Sequence, residues 1–149
     1  MIKYQEEQIE DILEEMKPML VKHWEELANY KDIRPLDVDW DNYIDLNRLL
    51  YIRVFTVRDN NKLIGYASFY ISNNLHYKSW RHAANDVYYL DQAYRKNGLG
   101  IKMFEEVETW LKDMGVKSVV VMDKVDHSHQ KFFNNMGYKL IEQNYEKVL

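Results

Sequence analysis

The segment "YLDQAYRKNGLGIKMFEEVETWL" (89–111) constrains this chain more than any other. An apolar and aromatic run ends at Leu90, residues 91–97 intervene, and Gly98-Leu99-Gly100 then opens a stretch with apolar positions at Met103, Phe104, Val107, Leu111 and Met114. That spacing predicts an amphipathic helix from Leu99 to Met114, stopped by Gly115. The chain has only five glycines, and two of them stand here beside Arg95 and Lys96. A helix N-terminus carries unpaired N–H groups and the positive end of the helix dipole. Glycines let the backbone approach a ligand and form an anion-binding nest. Phosphate is the usual anion for such a site.

Three phosphate loops compete. A Walker loop, G-x-x-x-x-G-K-[ST], is absent. A Rossmann fingerprint needs a third glycine where Met103 stands, and needs its glycines directly after the strand. Asp123 does end the next strand at a suitable distance. The chain after Gly100 is nevertheless too short for a doubly wound sheet. The third pattern, [QR]-x-x-G-x-[GA], is met by "RKNGLG".

The other elements follow from periodicity. Residues 5–28 read as helix, with Ile9, Leu13, Met16, Leu20, Trp24 and Leu27 as its stripe and a kink or split at Pro18. Asp39 or Asp41 would cap a second short helix through Leu50. "YIRVFTVR" (51–58), the turn "DNN" and "KLIGYASFYI" (62–71) read as a hairpin. "DVYYL" (86–90) and "KSVVVM" (117–122) are further strands. "SHQKFFNNM" (128–136) is a short helix closed by Gly137, and "YKLIEQ" and "YEKVL" are two closing strands. This order predicts an α+β fold, a mixed central sheet flanked by helices. The length of 149 residues fits a single domain over 1–149.

Composition excludes several functions. Cysteine is absent, which fits a cytoplasmic setting and rules out a disulfide or a cysteine nucleophile. No apolar run is long enough to span a membrane, and the first residues lack a signal pattern. Net charge is −4 without a basic block, so neither nucleic acid nor membrane is an expected partner, while a cationic molecule is. His127 and His129 lack a third ligand nearby, so no metal is expected.

The matched loop resembles the acetyl-CoA pyrophosphate loop of the GNAT N-acetyltransferase superfamily. "VYYLDQAYRKNGLG" is similar to that family's fourth strand, turn and third helix. "HQKFFNNMGYKL" is similar to its A-x-x-F-Y-x-x-x-G-F segment, and the element order is also the family's. "NLHYK" with "ANDVYYLD" further resembles members encoded by phages and prophages. The resemblance implies a transferase that moves acetyl from acetyl-CoA to a primary amine, with a homodimer among the assemblies it allows; the alternative is a non-catalytic module of the same kind that binds CoA or a nucleotide through this loop. Arg95, Lys96, Asn97, Gly98, Leu99, Gly100 and Ile101 would wrap the pyrophosphate. Tyr88 and Leu90 would meet the pantetheine arm, the Leu90 N–H also serving an oxyanion. Asp126 stands where the family often has a pantetheine-binding Asn. Phe133 stands where many members have a Tyr that protonates the departing thiolate, so the usual acid is missing.

Acetyl transfer needs a neutral amine, an oxyanion donor and a proton for the thiolate. Without cysteine, direct attack in a ternary complex is the simplest route. Asp86 is the first base candidate, because Asp is depleted in strands and alternation puts it on one face with Tyr88 and Leu90. The alternative is a structural Asp bonded to loop N–H groups or to Arg81. His76, in the loop before that strand, is the second candidate for its pKa. Asp37, Asp39, Asp41 and Asp45 either attract a cation or compensate a helix dipole. Glu6, Glu7, Glu10, Glu14 and Glu15 read as one solvated helix face. Tyr77 and Trp80 line an acceptor pocket or anchor a loop. Tyr138 and Tyr145 are alternative acids.

Overall fold

The computed structural model describes residues 1–149. Five strands, β1 (Ile2–Glu6), β2 (Ile52–Asp59), β3 (Lys62–Asn73), β4 (Arg81–Leu90) and β5 (Ser118–Val120), form one sheet in sequence order. All neighbours are antiparallel except β4 and β5, which are parallel. Helices α1 (Ile9–Leu27) and α2 (Trp40–Arg48) cover one face, and α3 (Leu99–Asp113) and α4 (Gln130–Asn135) the other. The α+β class with a mixed sheet holds. No helix is long and apolar enough to cross a membrane.

Each face has its own core. Ile9, Ile12, Met16 and Met19 of α1 pack on Val54, Leu63, Tyr66 and Tyr89. Met103, Val107 and Leu111 of α3 pack on Phe55, Val57, Ile64, Phe69 and Leu90. Asp39 caps α2 by accepting from the Asn42 N–H at 3.0 Å.

Several expectations are corrected. The first helix starts at Ile9, because "IKYQE" pairs with β2 as strand β1. Pro18 neither ends nor splits α1. It sits on the exposed face between buried Met16 and Met19, where water can pair the carbonyl it frees. Glu6 and Glu7 are therefore not on a solvated helix face. Glu6 pairs with Arg53, while Arg58 bridges Glu7 and Glu15, both at 2.8 Å. The strand expected at 86–90 begins at Arg81, carried by its β3 pairing although "RHAAN" lacks β-branched residues. The two closing strands do not form. Beyond Tyr138 the chain makes no backbone ladder, and Leu140, Ile141 and Val148 are exposed, so their alternation finds no strand partner although the outer edge of β5 is free.

Candidate active site

β5 pairs with β4 only through Ser118–Val120 against His82–Ala84, and past Ala84 the two strands part. β3 stays on the other edge, where Gly65 faces Leu90 and the Asp91 N–H donates to the Ile64 carbonyl at 2.8 Å. In that register the Leu90 N–H points away from β3, toward the edge β5 has left. Gly65 permits this close approach, since a Cβ there would lie 2.9 Å from Leu90 Cδ1 and 3.0 Å from the Tyr89 oxygen.

A bulge interrupts β4. Asn85 pairs with Phe69 and Tyr88 with Ala67, so Asp86 and Val87 together oppose Ser68. The expected alternation of Asp86, Tyr88 and Leu90 on one face is therefore broken. Tyr88 and Leu90 face α3. Asp86 turns to the α1/α2 side, accepting from the Tyr43 hydroxyl and from Ser68 Oγ at 3.3 Å. Burial pushes the Asp86 carboxyl above its ordinary value, partly offset by these two hydrogen bonds.

Below the parting strands lies a cavity of about 410 Å³. Leu20, Trp24 and Leu27 of α1 and Leu36 form an apolar wall, Asn85–Tyr88 of β4 the floor, and residues 122–129 the far side. The end of the α1 stripe thus faces the cavity, not the core. His23 also lines it, with Nδ1 at 3.1 Å from the Tyr66 hydroxyl and its ring stacked on Tyr89 at 5.1 Å between centroids. Burial lowers the His23 pKa to about 4, against the opposing pull of Glu26, so the ring is neutral at pH 7. On the far side, Asp123 Oδ1 accepts from the Tyr88 hydroxyl at 3.2 Å, and Oδ2 accepts from Ser128 Oγ at 2.8 Å and the His129 N–H at 2.7 Å. Burial and the neighbouring Asp123 raise the Tyr88 phenol well above its ordinary range.

The glycine loop follows the end of β4 and opens α3. Asn97 and Gly98 adopt left-handed φ values of 60° and 74°. No protein group accepts from the N–H of Asn97, Gly98, Gly100 or Ile101, which leaves a nest of donors at the α3 N-terminus. A Cβ on Gly100 would meet only Phe132 Cε2, at 3.9 Å. Packing within the protein does not require that glycine, and the open space above it suits a close ligand. Leu99 is half-buried and Lys96 is exposed. Arg95 turns away from the nest. Its Nε donates to the Leu90 carbonyl at 2.7 Å, its fork grips Glu26, and it lies over the Tyr89 ring at 5.2 Å. Its guanidinium ties the end of β4 to α1.

The remaining candidates scatter. His76 is exposed in the 74–80 loop and does not line the cavity. Asp126 is exposed in a one-turn 3-10 helix. Phe133 is buried, edge-on to Tyr88 at 5.8 Å and Phe104 at 5.3 Å. Tyr138 packs against Phe133 with its hydroxyl buried and unpaired, and Tyr145 is exposed. Tyr77 is exposed, and Trp80 anchors its loop by donating to Ser118 Oγ at 2.8 Å. No group of three His, Asp or Glu is placed to hold a metal. Sequence reasoning passed over His23, Tyr43 and Ser68 as site residues. In the sequence Asp123 reads as a strand-end acid at Rossmann-like spacing, and His129 as a weak metal ligand or a helix-start polar residue; their pairing with each other carries no sequence signal.

A mixed sheet whose two parallel strands part, a helix N-terminus with unpaired N–H groups and a cavity lined by titratable side chains together form a site suited to an anionic ligand. Residues 8–138 match the family model described as Acetyltransferase (GNAT) family, and the chain belongs to that family. Solved structures agree on the fold. A ribosomal-protein-alanine N-acetyltransferase from Brucella melitensis biovar Abortus 2308 matches with a TM-score of 0.80 at 15% identity, over 100% of this chain and 98% of that one. An aminoglycoside acetyltransferase from an uncultured soil metagenomic sample, in complex with sisomicin, matches at 0.76 with 16% identity, covering 99% and 97%. A predicted acetyltransferase from Clostridium acetobutylicum, solved with acetyl-CoA, matches at 0.68 with 15% identity, covering 99% and 96%. No curated protein matches the chain.

Proposed function

We propose that this protein transfers the acetyl group of acetyl-CoA to a primary amine by direct attack in a ternary complex. The observation that carries the reading is the set of unpaired N–H groups of Asn97, Gly98, Gly100 and Ile101 at the start of α3, the helix that follows β4. The nest takes the pyrophosphate, and Lys96 adds charge from the loop. The pantetheine arm runs along the free edge of β4 past Tyr88 and Leu90, whose N–H receives the oxyanion. Phe133 and Asp126 flank that arm from the α4 side. The amine enters over the apolar wall of α1, and Asp86, through water, takes its proton. His76, exposed in the loop before β4, is the second candidate for that proton. The absence of cysteine supports work in a reducing cytoplasm. The "NLHYK" and "ANDVYYLD" segments support a place among phage- and prophage-type members.

A thiol-release assay with acetyl-CoA tests this against 2-phenylethylamine, spermidine, an alanyl peptide and sisomicin. Amine-dependent release of CoA with formation of the acetamide is expected. Release that no amine accelerates would contradict it.

A further inference from the structure

The α3/α4 wall of the cavity carries a second assembly of titratable groups. His129 stands at the start of α4, its Nδ1 3.2 Å from Asp123 Oδ1 and its own N–H 2.7 Å from Oδ2. One carboxylate thus fixes both the ring and the backbone of His129. Ser128 Oγ at 2.8 Å and the Tyr88 hydroxyl at 3.2 Å fix the carboxylate in turn. An imidazole whose Nδ1–H is held by a carboxylate presents Nε2 for proton transfer. The His129 side chain is 48% exposed and lines the cavity, so Nε2 is accessible there.

The aromatic neighbours on this face are poor proton donors. Phe133 has none to give. The Tyr138 hydroxyl is buried and lines no part of the cavity. Tyr88 holds its proton too firmly, through burial and the adjacent Asp123. Tyr43 and Tyr66 belong to the opposite core. His127 has no hydrogen-bond partner to orient its ring, whereas His129 is held at both ring and backbone. The sides of the wedge also differ in direction. The nest opens α3, on the face of Tyr88 and Leu90, so the thiol portion of the donor lies on that side. Asp86 faces the other.

Resting on the acetyltransferase reading above, we propose that His129, oriented by Asp123, is the catalytic acid that protonates the departing CoA thiolate. The amine nitrogen bonds to the thioester carbon, and the surplus amine proton passes through water to Asp86. The carbon–sulfur bond then breaks with its electron pair on sulfur. The proton on His129 Nε2 moves to that sulfur, leaving neutral imidazole and CoA thiol. Solvent returns a proton to His129 and removes one from Asp86. Asp123 is a positioning residue.

The test uses the best acceptor of the four amines. In His129→Ala, kcat should fall about 100-fold, the low end for a general acid, with KM for acetyl-CoA changed little. Imidazole added to the buffer should restore a measurable part of that rate, because the vacated site is open to solvent. Asp123→Asn should lower kcat without imidazole rescue, and adding it to His129→Ala should cost little more. His127→Ala should show no imidazole-rescuable loss. His129→Gln, which keeps a polar side chain, serves if the alanine variant melts early. Wild-type kcat in a folded His129 variant, or a loss that imidazole does not restore, overturns the proposal while leaving the acetyltransferase reading intact. Wild-type protein that releases no thiol with any amine overturns both.

Discussion

At the scale of single residues, Asp86 carries the sharpest expectation. Its carboxyl is held above its ordinary value by burial while Tyr43 and Ser68 keep it in place. Asp86→Asn retains an oxygen for Tyr43, so it should cost less than about 1 kcal/mol of stability. It should still lower kcat about 100-fold or more if the carboxylate takes the amine proton. Denaturant melts and steady-state kinetics on the same preparation check this. A destabilised variant with wild-type turnover would make Asp86 a structural tie between β4 and α2. The nest was readable because glycine has few uses at a helix mouth. Arg95 was not. Its charge suggested phosphate, but Glu26, far away in sequence, claims the guanidinium. A pairing between residues that distant leaves no local trace.

At the scale of elements, the legible parts are those whose partners do not matter. α3 announced itself by its stripe, and the β2–β3 hairpin by its alternation and turn. β1 carries no signal of its own: its five residues are too few to show alternation, and the helical pattern from residue 5 takes in its last two, Gln5 and Glu6. The bulge in β4 had no signal, since it arises from how β4 and β3 fit together, and it moved Asp86 to the face opposite Tyr88. The acidic start of the chain looked solvated, yet Arg58 is only 11% exposed between Glu7 and Glu15. Arg58→Met should therefore cost about 3 kcal/mol, the lower end for breaking a buried pair, because Glu15 keeps much of its side chain in water. Although burial alone would raise it, hydrogen bonds from Arg58 and Thr56 bring the Glu7 pKa below its ordinary 4.5. The stability from this pair is whole above that value and is lost as pH falls through the folded pKa. Urea unfolding of wild type and variant at pH 7 and pH 3 should show the difference between them shrinking in acid.

At the scale of the whole molecule, the sheet separates two cores and opens where they meet. One side brings Asp86 and His23, the other Tyr88, Asp123 and His129, and the glycine nest opens the helix that follows β4. His23 reports on this arrangement. Its folded pKa of about 4 lies below its ordinary 6.5, because burial disfavours the cation. The unfolded chain takes up a proton first, so stability is whole above pH 6.5 and falls as pH drops toward 4, by about 3 kcal/mol. His23→Phe should remove most of that slope, as read from urea unfolding between pH 7 and pH 4.5. An unchanged slope would place the protonating group elsewhere.

The central claim is that the N–H nest at the start of α3 holds the pyrophosphate of acetyl-CoA. Isothermal titration of acetyl-CoA into wild type and Gly100→Val tests it most directly. A Cβ at Gly100 has room within the protein, where Phe132 Cε2 at 3.9 Å is the only neighbour. The variant should therefore fold with a normal melt. The account predicts saturable binding to wild type and a loss of at least about 100-fold in affinity, roughly 2.7 kcal/mol, in the folded variant. Equal affinity in the two proteins, or no binding to wild type, would contradict it.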